Sequence, residues 1–236
     1  MSIDEQVRQA LARWDAFPVR RQPRPIVLTT MSVIALDQLK ADARWRTLFD
    51  GPGVAESELP PEILPAAIDY CRDVQTGEPK PLARLVRADG PFATDRGLRE
   101  LPAWMMYPAR RRWPFIALDP DFQRRMTWCP PGLTATGHPE SVLGDDHRTL
   151  TYRFTGTPRQ YADYPCAEVF ETETAVLVKP VEVPLDGPDG VRLAYAEERE
   201  VVVRLAAPLG NRVLICLGHG PGSATFGSPV AVITSA

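Results

Sequence analysis

Lysine and histidine are scarce in this chain. Each occurs three times among 236 residues, against 24 arginines. Cysteine is scarce too: Cys71, Cys129, Cys166 and Cys216 stand far apart, with no C-x-x-C pair. A zinc knuckle draws paired ligands from one short segment, so this spacing gives no such site. The four thiols are expected to be reduced and largely buried, with a Cys166–Cys216 bridge as the alternative in an oxidising compartment. A G-x-S-x-G elbow and a Gly-Lys-Ser/Thr phosphate loop are both missing, which removes the usual sequence signs of a serine hydrolase and of a P-loop nucleotide site.

An excess of positive charge is also lacking. The net charge is −3. Residues 1–147 carry 19 basic and 20 acidic side chains, and residues 148–236 carry 8 and 10. Nucleic-acid binding requires a positive footprint that displaces counterions from phosphates, so no nucleic-acid partner is expected. The local clusters Arg20-Arg21 with Arg24 and Arg110-Arg111-Arg112 read as solvated loops. No apolar run reaches the length of about 18 residues that a membrane span needs, and Met1 to Leu11 reads as a polar helix rather than as a secretory leader. A cytoplasmic protein without a membrane partner is therefore expected.

What is present is an ordinary globular composition. Apolar residues make up 44% and charged residues 24% of the chain, enough for a core. The 25 prolines are about twice the usual share of roughly 5%. With arginine and alanine they suggest coding from a GC-rich genome.

Ser2-Ile3-Asp4-Glu5 is a capping-box pattern. Ile3, Val7, Leu11 and Trp14 follow at helical spacing and predict a helix to about Trp14 with that stripe facing the core. Pro25 to Thr30 suits a strand. A second helix is predicted near Leu36 to Phe49, closed by Gly51. A third is predicted from Pro61, with Ile63, Ala67, Ile68 and Cys71 inward. Leu82 to Val86 suits a strand, and Asp95-Arg96-Gly97 a turn. Ala103 to Tyr107 and Trp113 to Leu118 read as a hairpin, and Asp121 to Trp128 as a short helix. Cys129 to His147 reads as a loop and as the best boundary.

Beyond Arg148 the period becomes two. Leu150, Tyr152 and Phe154 alternate with Thr149, Thr151 and Arg153, as side chains on a half-buried strand do. Further short runs follow at Ala167–Phe170, Thr174–Val183, Val191–Tyr195, Val201–Leu205, Arg212–Leu217 and Val230–Ile233. Turn residues separate them, notably Asp186 to Gly190, Pro208 to Asn211 and Gly218 to Gly227. Seven such runs in about 90 residues mark a sandwich or barrel. The expected fold is α+β: a mixed helix and strand region over residues 1–147, packed on an antiparallel β-sandwich over 148–236, the two forming separate domains or one continuous one.

Chemistry is harder to place. Asp145-Asp146-His147 puts two carboxylates beside an imidazole, but reads first as a solvated turn and not as a metal site. Gly218-His219-Gly220-Pro221-Gly222 lacks the helix that a phosphate cradle requires. Cys129 has no histidine partner fixed by sequence. Glu171 and Glu173 would suit a carboxylate pair only if they shared a face, and with Glu168 they read as a charged outer face. The most distinctive stretch is Thr94-Asp95-Arg96-Gly97 with Leu101-Pro102-Ala103-Trp104. Asp95 accepts turn N–H bonds, Arg96 forks onto carboxylates, and Trp104 offers apolar area with one donor. These three, Asp95, Arg96 and Trp104, are the candidate ligand-binding residues. A buried structural corner would use the same groups.

That stretch, with Arg204-Leu205-Ala206-Ala207-Pro208-Leu209-Gly210-Asn211-Arg212-Val213-Leu214, resembles uncharacterised actinobacterial proteins. The resemblance implies no activity, cofactor or catalytic residue. A non-catalytic binding domain with a protein partner and no cofactor or metal is expected. The alternative is a hydrolase-type enzyme with a site between the helical and β regions, drawing on Asp95, Arg96, Trp104 and His138 or His147.

Overall fold

The computed structural model describes residues 2–29, 60–71, 85–106, 115–133, 140–185, 196–217 and 227–235. The expected helix at 36–49, the strand at 191–195, and the loops at 186–190 and 218–226 lie outside them. The protein is α+β and mostly sheet. It resolves into two compact units: residues 1–31, 93–97 and 128–236 form the first, and 32–92 with 98–127 form the second.

The first unit holds the sandwich. One sheet has the order β10-β4-β5-β8 and the other β6-β7-β9, with β4 at Ser141–Leu143, β5 at Thr149–Gly156, β6 at Ala162–Glu171, β7 at Ala175–Pro184, β8 at Glu197–Arg204, β9 at Val213–Ile215 and β10 at Val232–Thr234. β5 and β8 are antiparallel, with Tyr152 opposite Val201, and so are β6 and β7. Two pairings are parallel, β10 with β4 and β7 with β9, so both sheets are mixed. β4 lies inside the segment expected to be a loop. Three residues are too few to display a period, and only its pairing with β5 and β10 makes it a strand.

Inward residues of both sheets, among them Leu150, Tyr152, Phe154, Val176, Val178, Val201, Val203 and Leu214, make one apolar core. A second core lies on the other face of the β6-β7-β9 sheet. There Ala175, Leu177, Val213 and Ile215 meet Val7, Ala10, Trp14, Phe17 and Val27. This double burial explains why Ala175-Val176-Leu177-Val178 and Val213-Leu214-Ile215 are unbroken apolar runs: both faces of these strands are covered.

The covering element is α1, Ile3–Ala12. Ser2 caps it as the sequence predicts, its Oγ accepting from the Glu5 N–H at 3.2 Å. The inner stripe differs from the predicted one. Val7, Ala10 and Trp14 are buried, whereas Ile3 is 52% exposed and Leu11 only partly buried. The small Ala10 permits close approach: a Cβ built on Gly227 would sit 3.5 Å from the Ala10 backbone. Trp14 lies beyond the last helical turn. Its indole N–H donates to Gly227 O at 2.8 Å, and its ring meets Phe17 and Trp128 at centroid distances of 6.1 and 5.3 Å. The expected strand after Pro25 is reduced to local bridging, Leu28 pairing with Thr94.

In the second unit, α2 spans Leu64–Cys71, starting three residues after the expected Pro61, with Pro65 in its first turn. A three-stranded sheet has the order β1-β2-β3, with β1 at Leu85–Thr94, β2 at Gly97–Met106 and β3 at Phe115–Leu118. β2 and β3 form the expected antiparallel hairpin, Trp104 opposite Ala117. β1 runs well past the expected Val86, through Gly90 and Pro91. The tip joining β1 to β2, residues 93–97, belongs to the first unit. The expected short helix is α3, Pro120–Met126, and Asp119 caps it by accepting from the Phe122 N–H at 3.0 Å.

Candidate functional site

The sandwich has an open cleft of about 340 Å³ lined by Arg159, Asp163, Tyr164, Leu185, Arg199 and Glu200. Its shape begins with β6. The pairing of β6 with β7 shifts register between Asp163 and Cys166, around Pro165, which has no N–H to give a ladder. Proline is tolerated at such a place because β6 ends its sheet. Ala162 and Tyr164 face inward there while Asp163 faces out.

The floor is Arg199. Along β8, Arg199 is in phase with Val201 and Val203, the buried positions, and is itself only 7% exposed. A charge at an inward position is costly unless bonded. Its Nη1 donates to Thr157 O at 3.0 Å and Ala162 O at 3.1 Å. Its guanidinium carbon lies 4.9 Å from the Tyr164 ring centroid, a cation–π contact. Its Nη2 stands 3.6 Å from Asp163 Oδ1, beyond hydrogen-bond reach.

Tyr164 is fixed in turn. Its hydroxyl donates to Glu182 Oε2 at 2.7 Å and accepts from the Thr157 N–H at 3.0 Å. Burial, reinforced by the Glu182 carboxylate, pushes its phenol above the ordinary tyrosine value. The rim is looser. Arg159 reaches Glu197 at 3.3 Å with a largely exposed side chain, and Glu200 stands 3.6 Å from Arg153. Leu185, 44% exposed, adds an apolar lip, and its N–H donates to Tyr161 O at 2.9 Å. The cleft thus sets a rigid floor of arginine and tyrosine beneath a rim of both charge signs. Of its lining residues, none was among the sequence candidates. The signal was present in Glu198-Arg199-Glu200-Val201-Val202-Val203, where period two places Arg199 inward once the strand is extended back from Val201.

The sequence candidates lie elsewhere. Asp95 is 1% exposed and is held by Arg24, whose Nη1 and Nη2 donate to its two carboxylate oxygens. Arg96 Nε is 3.9 Å from the same carboxylate, and its Nη2 donates to Gly210 O and Arg212 O, each at 2.7 Å. Arg24 Nε also donates to Asn211 O at 2.8 Å. Arg212 continues the network: it pairs with Glu171 at 2.6 Å and donates to Ala207 O and Pro208 O. Burial raises the Glu171 carboxyl, but the Arg212 hydrogen bond and the Ala206 N–H more than offset it, leaving it below its ordinary value. Asp95 and Arg96 therefore belong to an arginine clasp around residues 206–212.

Trp104 belongs to the second unit. Its ring lies 5.7 Å from the Arg87 guanidinium, and Arg87 pairs with Asp119 at 3.0 Å. The buried indole Nε1 meets no acceptor at bonding geometry, yet its N–H is near enough to favour the ionised Asp119 carboxylate. Burial works against that charge, but the Phe122 N–H and Arg87 outweigh it and hold the carboxyl below its ordinary value.

Asp146 serves its turn: its carboxylate accepts from Arg148 N, Thr149 N and Thr149 Oγ1, and pairs with Arg204 at 3.3 Å. These bonds, led by the Thr149 N–H, lower its carboxyl to about 2. His147 follows at φ 54°. The three glutamates expected on a charged outer face each hold a separate partner: Glu171 pairs with Arg212, Glu173 with Arg20 and Glu168 with Lys179. Cys129 and Cys166 are exposed, against the expectation of largely buried thiols, Cys216 is buried, and Cys166 and Cys216 are not bridged to each other. Cys129 is an exposed residue, yet partial burial of its thiol raises it above its ordinary value. His138 and His219 lie outside the described residues. Among the described residues, no helix is long and apolar enough to cross a membrane.

Comparison with known proteins finds no matching family model, no similar curated protein and no similar solved structure.

Proposed function

We propose that this chain is a non-catalytic binding protein whose contact site is the cleft between β6 and β8. The observation that supports this reading is the division of labour in the cleft. Arg199 and Tyr164 are immobilised by backbone carbonyls, Glu182 and each other, while Arg159, Asp163 and Glu200 keep exposed charged ends. A pre-ordered floor lowers the entropy cost of binding, and tyrosine and arginine are among the side chains that anchor binding surfaces. A protein partner would enter a cleft of this size with a single protruding side chain or a chain end.

The test is a two-dimensional amide NMR screen of the full chain against a library of fragments and short peptides. Shifts gathered on Arg159, Asp163, Tyr164, Leu185, Arg199 and Glu200 are the expected result. Hits that map to other residues only, or an unresponsive cleft throughout the library, would overturn the reading.

A further inference from the structure

We infer that the cleft takes a small zwitterion, a free α-amino acid or dipeptide with an apolar side chain. This rests on the proposal that the cleft is the binding site, and adds the chemistry of its ligand.

The argument starts from the donors of Arg199. A guanidinium carries five N–H groups in a fixed fork. Nη1 spends its two on Thr157 O and Ala162 O. Among the described residues Nη2 makes no hydrogen bond, Asp163 Oδ1 standing 3.6 Å away, although the residue is 7% exposed. A nearly buried cation with uncommitted donors at the floor of a cleft is suited to a planar carboxylate, which accepts two parallel N–H bonds from such a fork. Arg159 on the rim supplies a second cation for the same group.

A simple anion would not suit the whole site. Asp163 and Glu200 line the same cleft. The Asp163 Oδ1 already accepts from the Tyr164 N–H at 2.8 Å, which leaves Oδ2 as an acceptor, and among the described residues Glu200 has only a long contact to Arg153 at 3.6 Å. Either carboxylate would repel a second anion and attract an ammonium. A ligand bearing both groups a few atoms apart satisfies the floor and the rim together. Leu185 and the edge of Tyr164 then offer the apolar contact for its side chain. The volume of about 340 Å³ falls at the small end of the range for ligand sites, about 300–1,000 Å³, which suits an amino acid or dipeptide.

The experiment titrates the full chain with leucine, leucyl-leucine, leucinamide and N-acetyl-leucine, read by amide shifts at the six lining residues and by calorimetry. Leucine or leucyl-leucine is expected to bind at the cleft. Removing the carboxylate in leucinamide, or the amine in N-acetyl-leucine, is expected to weaken binding at least tenfold. Arg159→Gln should weaken the zwitterions and leave leucinamide unchanged, and Glu200→Gln should weaken the zwitterions and leucinamide and leave N-acetyl-leucine unchanged. Both positions have exposed side chains, so both variants should fold. If the blocked compounds bind the cleft as well as the zwitterions, the inference fails while the cleft remains a binding site. If the four compounds leave the cleft unmoved while library fragments shift it, the inference again fails alone. Shifts confined to residues outside the cleft would remove both.

Discussion

Arg24 closes on Asp95 in a two-pronged ion pair, Nη1 reaching Oδ1 at 3.3 Å and Nη2 reaching Oδ2. The side chains are 14% and 1% exposed. Replacing such a pair by apolar groups is often tolerated, but removing one partner leaves the other charge buried. Arg24→Met is therefore expected to destabilise the protein by about 3–5 kcal/mol in urea denaturation. Adding Asp95→Asn should recover part of that loss. A cost below about 1 kcal/mol for the single variant would mean that Arg96, 3.9 Å away, neutralises Asp95 unaided.

Gly156 touches the cleft from behind. A Cβ there would lie 2.9 Å from both Phe154 Cε2 and Tyr164 Oη. The phenol cannot yield without losing Glu182 and Thr157. Gly156→Ala should cost about 1–3 kcal/mol, the range for overpacking, and should shift the amide of Thr157. An unchanged denaturation midpoint would show that the floor is softer than its hydrogen bonds imply.

Asp146 gives an acid-side prediction. Its carboxyl titrates at about 2 in the folded protein, against an ordinary 3.8. A depressed folded value means that the unfolded chain binds the proton first as pH falls. The stabilisation is thus complete above about pH 4 and is lost as the pH drops through about 2. The thermal midpoint of Asp146→Asn should lie below that of the native protein at pH 5 to 7, and the gap should close between about pH 4 and 2. A gap that persists to pH 1.5 would assign the effect to turn geometry instead of charge.

Residues 148–236 should not fold cooperatively alone. The piece lacks β4, which joins β10 to β5. It also lacks Val7, Ala10, Trp14 and Phe17, which cover Leu177, Val213 and Ile215. A broad melt by circular dichroism is expected. A sharp transition near that of the full chain would make the second core dispensable.

Much of the local structure was legible in the sequence. Ser2 and Glu5 marked the start of α1, because capping depends on a serine and an N–H three residues away. The alternation Thr149 to Phe154 marked β5, and the Pro208-to-Asn211 turn is where expected, with Gly210 at φ 52°. Each signal acts within a few residues. The stripe of α1 departs from the expected one for the opposite reason. Which of Ile3, Ala10 and Leu11 is buried depends on the strands beneath the helix, and β7 lies some 170 residues further on.

The same boundary applies to the site. The sequence by itself determined the class of fold, most of the strands and the near balance of charge, since composition and period are properties of short windows. Only the tertiary structure decided that Asp95 and Arg96 join Arg24 and Arg212 in a clasp, and that Arg159, Asp163, Arg199 and Glu200 share a cleft. Arg24 meets Asn211 across 187 positions, and Arg199 meets Ala162 across 37. A side chain's charge is written in its codon, but whether that charge is spent on a carbonyl or left for a ligand depends on which distant backbone the fold brings beside it.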